Sequence, residues 1–184
     1  MIKVESKNLI LTYQKTIINP GRDMNMKSEK TALITGATSG IGAEFARQLA
    51  SQGFNLIITG RRKKEIQNNA DEISKKYKVS VQIIIAELSE QAGMEKVIKV
   101  IRKTPGLAIL VNNAGFGIEA FFHESDISKQ MMMLNVHNLA LMKFIYEAVP
   151  VMIKNGGGTI INVASMCARL YLPGQSIYNA TKSF

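Results

Sequence analysis

Short unbroken apolar runs along this chain alternate with longer stretches in which apolar residues recur every three or four positions. Residues 31–35 (TALIT) form the first run, and Ile41, Phe45 and Leu49 then fall four apart. This predicts a strand followed by a helix from about residue 41 that closes at Gly53. The run 55–59 (NLIIT) predicts a second strand, and Ile66, Ala70, Ile73 and Tyr77 mark the inner face of a second helix. Residues 79–85 (VSVQIII) read as a third strand. Ser89 is the expected N-cap of a helix carrying Met94, Val97, Ile98 and Ile101, which Pro105-Gly106 stops. A fourth strand is expected over 107–111 and a long helix over about 128–154, kinked or broken at Pro150. The turn Gly156-Gly157-Gly158 leads into a fifth strand over 159–163, and a new helix begins near Ser176.

The strands are apolar throughout, which calls for burial on both faces, and they alternate with helices. With right-handed crossovers the expected fold is α/β: a Rossmann-like, doubly wound parallel sheet of five strands in the order 3-2-1-4-5. Residues 1–27 lack sustained periodicity and contain the breaker Asn19-Pro20-Gly21. They are expected to form a flexible N-terminal extension, in which Met24 and Met26 are alternative starts. A strand pairing with the sheet edge ranks below that reading. Residues 28–184 are expected to form the folded domain.

Composition narrows the picture. A chain of 184 residues with 46% hydrophobic and 20% charged residues suits one soluble domain with a core. The net charge is +9, from 23 basic and 14 acidic residues. Its densest part, residues 61–78, lies on the outer face of the second helix and reads as solvated surface. No arginine-rich run, RNA-binding aromatic motif or zinc-finger spacing accompanies it, so no nucleic-acid partner is expected. One cysteine, Cys167, excludes an internal disulfide and any cysteine cluster; with two histidines, no metal site is expected. No continuous apolar run approaches the ~20 residues of a membrane span, and no secretory signal opens the chain. The expectation is a soluble cytoplasmic protein without a membrane partner. Cys167 and Met131-Met132-Met133 are taken as packing residues, His123 as a loop residue, and His137 as a helix residue that ligates nothing.

Thr35-Gly36-Ala37-Thr38-Ser39-Gly40-Ile41-Gly42 lies between the first strand and the first helix. The first glycine allows a sharp turn, the middle one lets backbone approach a pyrophosphate, and the last permits close helix–strand packing. Phosphates then meet the unpaired N–H groups and positive end of the helix. The spacing is GxxxGxG and no Lys-Ser/Thr pair follows, which argues against a nucleoside-triphosphate loop. The second strand ends in Gly60-Arg61-Arg62-Lys63, with no acid before Glu65 to hold a ribose 2′-hydroxyl. Arginine pairs a 2′-phosphate instead, so NADP(H) is expected over NAD(H), with Arg61 first and Arg62 second.

Tyr178 and Lys182 are four apart and share one helix face. A free phenol titrates near pH ~10, and a neighbouring ammonium lowers that value. Tyr178 is then a candidate general acid for carbonyl reduction and general base for alcohol oxidation. Ser165, at the end of the fifth strand, is a candidate hydrogen-bond partner for the substrate oxygen where negative charge develops.

The glycine loop, Asn112-Asn113-Ala114-Gly115, Ser165 and Tyr178-Asn179-Ala180-Thr181-Lys182 together resemble the short-chain dehydrogenase/reductase family in its TGxxxGxG, NNAG and YxxxK form. The tyrosine follows the serine by thirteen positions, as in that family, and Asn135 matches its helical asparagine. The resemblance covers about residues 28 to 184. It implies a catalytic set of Asn135, Ser165, Tyr178 and Lys182, with Lys182 on the nicotinamide ribose and Asn135 holding a water that links Lys182 to solvent. It implies cofactor contacts at Gly36, Thr38, Ser39, Gly40, Ile41, Gly42, Arg61, Arg62, Glu87, Leu88, Asn113, Ala114, Gly115, Tyr178 and Lys182. Asn112 and its neighbours would fix the fourth strand. Glu87 stands where the family commonly has an aspartate against the adenine.

The implied activity is hydride transfer between NADP(H) and a small-molecule carbonyl or secondary alcohol. The implied assembly is a homodimer or tetramer through the long helix and the tyrosine-bearing helix. The chain ends at Phe184, before the further strands of the family. It is therefore expected to be C-terminally truncated, with the fifth strand as an exposed edge and a weakened dimer. A second reading is an inactive remnant that still binds NADP(H). A third, a sugar-nucleotide epimerase, would want GxxGxxG in the glycine loop.

Overall fold

The computed structural model describes residues 13–18 and 30–184. One sheet of six strands carries the molecule: β1 (Tyr13–Ile18), β2 (Thr31–Ile34), β3 (Asn55–Gly60), β4 (Val81–Ile85), β5 (Leu107–Asn112) and β6 (Gly158–Val163). Their order is β1-β6-β5-β2-β3-β4. From β2 onward all pairs are parallel, and these five strands follow the expected order 3-2-1-4-5.

Period-two alternation divides the core. Leu33, Ile57, Leu110 and Ile160 point to one face, where they meet Met94, Ile98, Phe144 and Met152 of the helices α3 (Gln91–Arg102) and α5 (Ala140–Lys154). Ile34, Leu56, Ile58, Val111 and Ile161 point to the other face, against α1 (Gly40–Ser51) and α2 (Lys63–Tyr77). Both faces are covered, so a strand can be apolar at every position.

The sixth strand is a correction to the sequence reading. Tyr13–Ile18 falls within the stretch read as a flexible extension, yet it pairs antiparallel with all six residues of β6, from Tyr13 opposite Val163 to Ile18 opposite Gly158. The β6 edge expected to stand open is therefore covered. Alternating burial could not reveal β1, because an edge strand buries little and its signal is backbone pairing. The remainder of 1–27, with its alternative starts, lies outside the described residues.

Three smaller differences concern helices. Ser89 is not the N-cap of α3; Glu90 takes that position, and the Ser89 hydroxyl bonds Glu87. Pro150 lies inside α5 without ending it. The irregularity falls earlier, in a π turn over Asn135–Leu139 that joins α4 (Ile127–Leu134) to α5. The continuous run Ile127–Lys154 has 28 residues and is long and apolar enough, by length and composition, to cross a membrane. Polar residues interrupt it, so it contains no unbroken apolar stretch of that length. Here Phe144, Ala148 and Met152 are buried against the sheet. Of the three adjacent methionines, Met133 is buried while Met131 and Met132 are exposed.

Candidate functional site

The C-terminal ends of β2, β3, β4, β5 and β6 converge on one cleft of about 410 Å³. That volume lies within the ~300–1,000 Å³ usual for small-molecule sites. Its wall contains Gly36, Thr38, Ser39 and Ile41 of the glycine loop, Arg61 and Arg62 after β3, and Glu87 and Leu88 after β4. Asn113, Ala114 and Gly115 after β5, and Tyr178 and Lys182 of the helix α6 (Ser176–Ser183), complete it. Thus thirteen of the fifteen residues read as cofactor contacts, drawn from separate segments, are brought together. The other two, Gly40 and Gly42, belong to the same loop but not to the wall.

The loop is held from below. Asn113 Nδ2 donates to the Thr35 and Gly36 carbonyls (2.9 and 3.0 Å). The Thr35 hydroxyl accepts from Asn113 N–H and Ala114 N–H, both at 3.0 Å. The backbones come so close that a Cβ on Gly36 (φ 67°) would lie 2.8 Å from Ala114 Cα, and one on Gly42 would overlap the Gly36 carbonyl. Asn69 Nδ2 on α2 donates to the Thr38 carbonyl at 2.7 Å. This last tie was missed in the sequence, where a polar residue on a charged helix carries no mark of its partner.

Ser39 precedes α1 in extended conformation and makes no side-chain capping bond; its hydroxyl accepts from Arg62 Nη2 at 2.9 Å. Arg62 also pairs with Glu65 (2.8 Å), and Arg61 with Glu87 (3.1 Å). Partial burial pushes the Glu87 carboxyl up, but hydrogen bonds from Ser89 N–H and hydroxyl, with Arg61, outweigh it and hold the group below the usual carboxylate range. Glu87 therefore lines the cleft as an ionised group already engaged by three donors.

At the other end of the cleft, Lys182 Nζ lies 5.9 Å from the centre of the Tyr178 ring and donates to the Val163 carbonyl (3.1 Å). Burial pushes the Lys182 ammonium down to about 8. Gly117 stands against the Tyr178 ring, where a Cβ would be 3.9 Å from Cδ2 and Cε2. His137 meets the same ring edge-on, with centroids 5.7 Å apart. It is buried, and burial followed by the Lys182 charge pushes it down to about 3. In the sequence His137 reads as a helix residue that ligates nothing; its partners here, 21 and 44 residues away, leave no local mark.

Ser165 and Asn135 lie outside the wall of the cleft. The Ser165 hydroxyl accepts from Cys167 N–H (3.2 Å) at the start of a single 3-10 turn, Met166–Ala168. Asn135 opens the π turn and its Nδ2 donates to the Ser89 carbonyl (3.0 Å). Asn112 Nδ2 bonds Asn162 Oδ1 between β5 and β6, as suits a residue that fixes its strand.

A family model described as short chain dehydrogenase matches residues 30–184. An uncharacterized oxidoreductase of Staphylococcus aureus (strain MW2) is 29% identical over 161 residues, covering 87% of this chain and 68% of that protein. Among solved structures, a bulky-bulky ketone specific alcohol dehydrogenase from Comamonas testosteroni superposes with a TM-score of 0.81 at 32% identity, covering 84% of this chain and 62% of that one. A short-chain dehydrogenase from Sphingobium yanoikuyae in complex with NADPH gives 0.81 at 31% identity, covering 84% and 60%. The chain thus spans roughly three fifths to two thirds of the length of these proteins.

Proposed function

The chain belongs to the short-chain dehydrogenase family of oxidoreductases, and on that premise we propose that it moves hydride between NADP(H) and a carbonyl or secondary alcohol. The observation that carries this reading is one cleft whose wall holds the glycine loop, both arginines and the Tyr178–Lys182 pair.

The residues fit a dinucleotide. With Ser39 turned to Arg62, no side chain caps the first turn of α1, and its N–H groups and positive end suit a pyrophosphate. Gly36 and Gly42 let the loop fold tightly on itself and on the 113–114 turn, where a Cβ would clash, and at Gly40 nothing stands within 4 Å of where a Cβ would be. Arg61 and Arg62 line the adenosine end with charge for a 2′-phosphate, and the NADPH held by the Sphingobium relative supports that choice. Glu87, Leu88 and the 113–115 turn would border the adenosine.

When bound, the nicotinamide supplies or takes the hydride. The Tyr178 hydroxyl gives a proton to the carbonyl oxygen in reduction and takes one back in oxidation. Lys182, a cation below pH about 8, stands beside that hydroxyl's ring with its Nζ 5.9 Å from the ring centre. Ser165 already accepts from Cys167 N–H, which leaves its hydroxyl proton for the developing charge on the substrate oxygen. Asn135 takes part through the π turn it opens, since its amide is engaged by Ser89. The ketone handled by the Comamonas relative supports a ketone here. A homodimer belongs to the same reading, through the apolar side chains Met142, Tyr146 and Ile153 exposed on α5.

Fluorescence titration of the chain with NADPH and with NADH tests the cofactor, and saturable, preferential NADPH binding is expected. No NADPH binding would overturn the reading. Tyr178→Phe should abolish NADPH-dependent reduction across a panel of aryl ketones while leaving NADPH affinity within about twofold; unchanged turnover would remove Tyr178 from the mechanism.

A further inference from the structure

We propose that His137 is a positioning residue: a neutral imidazole with its proton on Nδ1, which locks the loop after β5 to the tyrosine-bearing helix through the Thr181 hydroxyl. As a functional claim it rests on the reading of Tyr178 and Lys182 as the reacting pair.

The direction of every bond follows from one donor. Phe116 N–H lies 3.0 Å from His137 Nε2, and a backbone amide only donates, so Nε2 accepts. The ring proton is then on Nδ1, 2.8 Å from Thr181 Oγ1. That hydroxyl accepts from Nδ1–H and passes its own hydrogen to the Tyr178 carbonyl, 2.8 Å away. The chain from Phe116 N–H to Tyr178 C=O uses each donor and acceptor in one consistent sense. Protonating Nε2 would set two hydrogens against each other, inside a site where His137 is 4% exposed. Burial and the Lys182 charge both oppose the cationic ring. Lys182 and Tyr178 on α6 are the titratable neighbours; the π turn and residues 113–117 contain none.

Packing agrees with the bonds. A Cβ at Gly115 would lie 2.8 Å from His137 Nε2 and 3.5 Å from Lys182 Nζ, so the loop runs directly over the ring and the ammonium. Phe116 and Tyr178 both meet the imidazole edge-on, at 5.9 and 5.7 Å. The neighbouring Asn138 Nδ2 donates to the Thr181 carbonyl (3.3 Å), a second tie to the same residue. The π turn sends Asn135 to Ser89, and His137 and Asn138 to Thr181. Such turns recur at functional sites because the extra residue re-aims side chains. Thr181 lies three residues after Tyr178 and one before Lys182, so fixing its hydroxyl fixes the turn that carries both.

The test is ¹⁵N NMR of the full chain labelled at histidine. Expected is one His137 signal pair with Nδ1 protonated and Nε2 accepting, unchanged from pH 5 to pH 9, values set here as the range scanned, roughly, around the ordinary histidine pKa of ~6.5. A proton on Nε2, or titration within that range, would overturn the proposal. His137→Gln keeps an acceptor toward Phe116, whereas His137→Asn keeps only a donor toward Thr181. Exchange of the Phe116 amide should accelerate by about tenfold or more in the asparagine variant alone. If both variants fail to fold, Thr181→Val, a near-isosteric change, remains. With acetophenone as the probe ketone, it should lower kcat about tenfold with the NADPH Kd within about twofold, and Thr181→Ser should restore kcat. Unchanged kcat in Thr181→Val, or equal losses of kcat and affinity, would overturn the positioning role. If the wild-type chain neither binds NADPH nor reduces the ketone, the oxidoreductase proposal falls, and the tautomer measurement still decides the bridge.

Discussion

The two chemical ends of the cleft are set by single side chains whose environments differ in kind. Arg61 and Arg62 are exposed and each is paired with a carboxylate, Glu87 and Glu65, so their charge is held in place without being buried. Replacing both with alanine should weaken NADPH at least about tenfold while barely changing NADH, since the charge that would meet a 2′-phosphate is removed, whereas the lost contacts to Glu87, Glu65 and Ser39 affect both cofactors alike. Equal losses for the two cofactors, measured by fluorescence titration, would remove the 2′-phosphate assignment. Lys182 is the opposite case. Its ammonium is pushed from 10.5 down to about 8 by burial, so the folded state binds this proton less tightly than the unfolded chain does. Between those two values the unfolded chain holds more protons, and stability rises with pH. Lys182→Met lacks this term. Urea midpoints taken from neutral pH upward should therefore show wild type gaining on the variant once pH passes about 8, by at most about 3 kcal/mol. A constant gap would mean that Lys182 is solvated.

Elements decide how firmly these groups are held. α5 turns Phe144, Ala148 and Met152 to the sheet, and Phe144 is 1% exposed. Phe144→Ala should cost about 3–5 kcal/mol in urea unfolding, from lost burial and the cavity left behind. β1 makes a different contribution. It gives β6 an antiparallel partner along its whole length, satisfying a row of backbone donors and acceptors that would otherwise face solvent. Deleting residues 1–18 should leave the cleft residues in place but expose that row, and light scattering should report concentration-dependent aggregation of the shortened chain. The π turn shows why helix boundaries read from apolar spacing miss functional detail. The spacing on either side remains helical, and the inserted residue changes only where Asn135, His137 and Asn138 point.

At the scale of the molecule, a doubly wound sheet brings five strand ends to one line, and the cleft lies along it. The outer side of α5 presents Tyr146, 78% exposed, with Met142 and Ile153. If this face joins two copies, Tyr146→Arg should shift the light-scattering mass from dimer toward protomer. Apolar strands alternating with periodic helices were enough to specify the five parallel strands and their order, because burial on both faces leaves few ways to connect them. Short local strings likewise marked the glycine loop, the arginines after β3 and the Tyr178–Lys182 pair, since each is a matter of residue type at a small spacing. Pairing over long separation left no such mark. The strand β1 on β6, the Arg61–Glu87 pair, the Asn69 tie and the bonds of His137 join residues from 21 to 150 positions apart, and each partner by itself is an ordinary polar or edge residue. Those contacts exist only once the sheet has brought the segments together, so it was the tertiary structure that covered the β6 edge and turned a histidine with no visible role into the link between the loop and the tyrosine helix.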